Sequence, residues 1–111
     1  MAYLRKEKET VEIDYPLNKV WAAIPKALNS LNWTVEQINK KTLHIKAKTK
    51  ASLMSYGSVF LINVVPVDKK TTRVSVATET PATTITAIVD LGRARERIDL
   101  FFAALAKQLT S

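Results

Sequence analysis

The chain has no cysteine, only two glycines and a single histidine. Without cysteine there is no disulfide framework, no thiolate nucleophile and no cysteine-held metal. Gly57 and Gly92 lie far apart, so no glycine-rich loop can cradle a phosphate. His44 has no second His and no Cys to complete a metal site, and the serines have no base to activate them. Glu12, Asp14, Glu36 and Glu79 fall at strand spacing, where alternation alone supplies polar residues. These shortages argue against an enzyme, and no cofactor is expected. No apolar run reaches the about 20 residues of a membrane-spanning helix. The longest lies in VFLINVVPV, which is strand-sized. The opening MAYLRKEKETVEI holds no apolar signal core, so a cytoplasmic location is the expectation.

What is present is ordinary globular composition: 111 residues, 47% hydrophobic and 24% charged. That fits one folded domain over 1–111. Seventeen Lys and Arg against ten Asp and Glu give a net charge of +7. Excess positive charge attracts phosphates and acidic surfaces, and it also keeps a protein soluble.

Period-two alternation marks a half-buried strand over Glu9–Tyr15, with Val11, Ile13 and Tyr15 on one side. Pro16 then opens a helix, with Asn18 as a candidate cap. Leu17, Val20, Trp21, Ile24, Leu28 and Leu31 share one face of it, and Pro25 should kink it. Strands are expected over Trp33–Ile38, Thr42–Thr49, Ser58–Val67 and Thr72–Thr78. SLMSYGS, 52–58, reads as a bend, and Pro81–Val89 as a Thr-rich loop. Asp90 should cap a last helix with a buried stripe of Leu91, Ala94, Ile98, Phe101, Leu105 and Leu109. Short turns between the later strands make them antiparallel, and the two helices must cover one sheet face. The fold class is therefore α+β, in two layers. The element order is β-α-β-β-β-β-α, with a curved antiparallel sheet of about five strands and the long C-terminal helix across it.

That order resembles the helix-grip architecture of the START-like superfamily, which includes polyketide cyclases and birch-pollen-type allergens. YPLNKVWAAIPKAL, 15–28, is similar to that superfamily's passage from first strand to first helix. SLMSYG (52–57) and DLGRARERI (90–98) look like phrases of a small bacterial branch. The resemblance spans about Val11 to Leu109. The resemblance implies a fold, with no agreed activity to transfer; the chain reads as a non-enzymatic domain whose first candidate ligand is a small apolar or amphipathic molecule between the C-terminal helix and the sheet.

The candidate lining is Trp21, Ile62, Val76, Ile98 and Phe102, with Arg93 or Arg97 at the mouth. Arg93 can pair locally with Glu96, and Arg95 with Asp99, so the arginines also read as a surface network. Gly92 at a helix start would permit close packing or leave room for an anion, the former being the commoner cause. Met54 and Tyr56 are the large side chains expected to be exposed. A second reading docks an acidic protein partner on a basic strand face of Lys46, Lys48 and Lys50. Nucleic acid suits that face poorly, because no aromatic residues interleave with the lysines. The plainer reading of these lysines is a solvated face that blocks edge-to-edge strand pairing. A third reading pairs two copies through an exposed strand edge.

Overall fold

The computed structural model describes residues 3–49, 59–82 and 84–110, with the backbone alone over 3–7 and 80–95. Five strands and two helices follow one another: β1 (Tyr3–Ile13), α1 (Leu17–Ser30), β2 (Thr34–Asn39), β3 (His44–Lys48), β4 (Val59–Pro66), β5 (Thr72–Ala82) and α2 (Thr84–Thr110). The sheet is antiparallel with strand order β1-β5-β4-β3-β2. The first strand therefore closes on the last, and β1 and β2 are the edges. This is the expected two-layer α+β arrangement.

Alternation along the strands sorts the two sheet faces. Ile45 and Ala47 on β3, Phe60, Ile62 and Val64 on β4, and Thr72, Val74, Val76 and Thr78 on β5 are buried. They pack under Val20, Ala23, Ile24, Ala27 and Leu28 of α1 and Ile98, Phe101 and Leu105 of α2. The 3–4 spacing of those helix residues puts each set on one stripe. Two alanines on the buried stripe of α1 leave room for the α2 backbone to come close. Trp33, Phe60, Phe101 and Phe102 run through the core with successive ring centroids 5.0, 5.2 and 5.4 Å apart. These are tilted and edge-on contacts, the geometry aromatic rings prefer.

Several boundaries differ from the sequence reading. The N-cap of α1 is Pro16, with φ −69° and ψ 157°, and its carbonyl accepts from the Lys19 and Val20 amides; Asn18 lies inside the helix. Pro25 is tolerated within α1. β3 starts at His44, because Asn39 Oδ1 accepts from the Lys41 and Thr42 amides and holds a turn there. Leu43 ends that turn at φ 54°, left-handed backbone rather than strand, while its side chain stays against the core.

The largest correction concerns Pro81–Val89. β5 runs on to Ala82 because β1 pairs with it along its whole length, Leu4 opposite Pro81 and Tyr3 opposite Ala82. α2 then begins at Thr84, so Asp90 is not its cap and Gly92 lies in its interior. A glycine there weakens a helix by about 1 kcal/mol relative to alanine. At 27 residues α2 is about 40 Å long and spans the sheet. The bend expected over 52–58, with Met54 and Tyr56, lies outside the described residues.

Candidate functional site

The cross-strand register makes rows on the helix-facing side. Ile45, Ile62, Val76 and Glu9 form one row, and Ala47, Phe60 and Thr78 the next. Of the residues proposed from sequence to line a cleft, Ile62 and Val76 are thus direct neighbours on the sheet floor. Ile98 is buried in the same cluster from α2. Trp21 and Phe102 are half-buried at its margin. Arg97, next to Ile98 on α2, is half-buried as well. Arg93 lies further up α2, in the stretch described by its backbone only.

Two polar residues on this face escaped the sequence reading. Thr78 is fully buried, and among the described residues its Oγ1 has no hydrogen-bond partner. A buried hydroxyl without a partner is costly, by roughly 1–3 kcal/mol, and is rare in native interiors. The other buried threonine of β5, Thr72, shows the usual solution: its hydroxyl donates to the Tyr15 carbonyl at 2.8 Å. Glu9 is half-buried and sits opposite Val76 on the helix-facing side. The signal for both was present in the period of two. Thr78 follows Val74 and Val76 by twos, and Glu9 precedes Val11 and Ile13 by twos.

The lysines occupy the other face. Lys46 and Lys48 point away from the helices, Lys46 opposite Leu61 and Lys48 opposite Val59. Lys50 lies outside the described residues. β3 is an interior strand, so these lysines do not guard a sheet edge as the sequence suggested. At the β2 edge the ladder shifts register between Val35 and Gln37.

No family model matches the sequence, and no curated protein matches it either. Solved structures do match the fold. Norcoclaurine synthase from Thalictrum flavum, solved in complex with dopamine and hydroxybenzaldehyde, superposes with a TM-score of 0.72 at 10% identity, over 98% of this chain and 88% of that one. The Zhui aromatase/cyclase from Streptomyces sp. R1128 gives 0.69 at 12% identity, over 96% and 94%. Ara h 8.0201 gives 0.67 at 12%, over 98% and 100%. The chain shares the helix-grip fold of these three proteins, as its element order suggested. Among the described residues no helix is long and apolar enough to cross a membrane.

One expectation is overturned. The shortage of catalytic residue types argued against an enzyme, yet a synthase and an aromatase/cyclase share this backbone at near full length. Having no cysteine and one histidine excludes only chemistries in which this chain supplies a thiolate or a histidine-rich metal site. It does not exclude reactions run by one or two ordinary side chains in an enclosed space.

Proposed function

We propose that this helix-grip domain binds a small apolar or amphipathic molecule between α2 and the helix-facing side of the sheet. The observation that carries the reading is the buried, unpartnered hydroxyl of Thr78. A ligand group that donates to or accepts from Thr78 Oγ1 would remove the desolvation cost that the hydroxyl otherwise bears. Val76 and Ile62 would form the floor, Ile98 and Phe102 the roof, and Trp21 the side wall. Arg97 or Arg93 would meet an acidic group at the mouth. The bound dopamine and hydroxybenzaldehyde of the Thalictrum enzyme are small, aromatic and hydroxylated, which supports a ligand of mixed character.

Turnover of that ligand is a second reading, favoured by Glu9. Its carboxylate, in the row of Val76, Ile62 and Ile45, is the group that would take or give a proton.

Native mass spectrometry of protein purified from its own cells tests the first reading. A small molecule that leaves on denaturation is the expected result. Titration with the neutral fluorophore N-phenyl-1-naphthylamine should then weaken severalfold in Phe102→Ala and in Thr78→Val. A clean ligand-free mass together with unchanged affinity in both variants would sink the proposal.

A further inference from the structure

The face of the sheet turned away from the helices is also organised. Its register gives a row of Lys46, Leu61, Ala77 and Lys8, and beside it a row of His44, Asn63, Ser75 and Thr10. Between them lies a depression of about 330 Å³, whose lining includes Lys8, Thr10, Leu61, Asn63, Ser75, Ala77 and Glu79. That volume falls at the lower end of small-molecule sites.

The polar row is pre-set to donate. His44 Nδ1 lies 2.8 Å from Asn63 Oδ1. That contact occupies the amide's acceptor and leaves Nδ2 as a donor. Thr10 and Ser75 share one hydrogen bond at 3.1 Å, which leaves hydroxyl capacity to spare. Lys8 adds an ammonium. Elsewhere on this face the charges neutralise each other, as in the 2.9 Å pair of Arg73 with Glu12. Lys8, Lys46 and Lys48 have no such ion pair among the described residues. The floor, Leu61 and Ala77, is apolar.

We propose that this outer face holds a second, shallow site for a small monocarboxylate with a short apolar body. The carboxylate accepts from Asn63 Nδ2, from the Ser75 or Thr10 hydroxyl and from Lys8. The hydrocarbon lies on Leu61 and Ala77. Inorganic phosphate has no hydrocarbon to lay on Leu61 and Ala77, so it should bind more weakly than a monocarboxylate with a short apolar body. A nucleic-acid strand fits less well: the outward side chains of β3, β4 and β5 include no Phe, Tyr or Trp on which bases would stack. The site is separate from the proposed helix-facing one, and either stands if the other fails.

The test is a nuclear magnetic resonance titration of isotope-labelled protein with hexanoate, hexan-1-ol and inorganic phosphate. Saturable hexanoate shifts are expected at the amides of Thr10, Leu61, Asn63, Ser75 and Ala77, with affinity in the millimolar range of a small, open site. Hexan-1-ol and phosphate should each bind at least threefold more weakly. Lys8→Gln, an exposed change that leaves the core intact, should weaken hexanoate by a similar factor. Four results would overturn the proposal: no saturation, equal binding of hexanol or of phosphate, indifference to Lys8→Gln, or shifts confined to Ile98 and Phe101 of α2.

Discussion

Leu61 and Ile62 are consecutive residues of one strand with opposite fates. Ile62 is fully buried among Ile45, Val76 and the helices. Leu61 is half-buried in an open depression between two lysine-bearing strands. The same contrast holds along β5, where Val74 and Val76 are closed in while Ser75 and Ala77 line a surface. The sheet is thus one scaffold with two chemistries. Stability resides on the helix-facing side, and much of the freedom to vary lies on the other. Thr78 breaks this division, since it places an unsatisfied polar atom on the stabilising side.

Breaking the comparison on the buried side should have the largest effect. Phe101 is fully buried and touches both Phe60 and Phe102. Phe101→Ala should cost about 3–5 kcal/mol of unfolding free energy, read by urea denaturation. A loss under about 1 kcal/mol would mean that the aromatic chain does not hold α2 on the sheet.

Substitution at adjacent positions sharpens the contrast next. Ile62→Ala should cost about 2–5 kcal/mol, because it leaves a cavity that the neighbours cannot fill. Leu61→Ala removes a group that already faces water in part, and about 1 kcal/mol is expected. Equal losses in the two variants would show that the outer face is covered in solution, for example by a second copy of the chain.

Much of this was legible because local pattern and tertiary environment agree. Val74 and Val76 alternate with Arg73 and Ser75 in the sequence, and the sheet buries the first pair. The segment after Thr78 was illegible because the two disagree. Its threonines favour strand over helix and Pro81 favours neither, so local propensity gives no helix start at Thr84 and no strand through Pro81. The chain overrides that reading by a contact 79 residues apart in number, Tyr3 facing Ala82, which no local window contains. The burial of Ile62, Val76 and Ile98 was legible from their apolar spacing. Thr78 and Glu9 were missed because a polar residue on an apolar face breaks the rule used to find the face.

Thr78→Val asks whether the exception on the buried side is a defect or a tool. The side chains have nearly the same shape, and the change removes only an unpartnered hydroxyl. In ligand-free protein the variant should be more stable by about 1–2 kcal/mol, since no hydrogen bond is lost. A destabilised variant would mean that the hydroxyl is satisfied in solution, by bound water or by a ligand carried through purification.

The smallest effect is expected on the outer face at Arg73. Its guanidinium places Nε at 3.2 Å and Nη2 at 2.9 Å from the same Glu12 oxygen, joining β5 to β1 across their register. The side chains are 45% and 52% exposed, so water and salt already screen both charges. A double-mutant cycle through Glu12→Gln and Arg73→Gln should give a coupling of roughly 0.2–1 kcal/mol at low salt. It should shrink further as salt is added. The sheet's closure does not depend on this pair, because the ladder from Tyr3 to Ile13 and the burial of Thr72, Val74 and Val76 carry it. A coupling well above that range, or one that salt leaves unchanged, would place the pair in a protected environment and show that the outer face is covered where it joins β1.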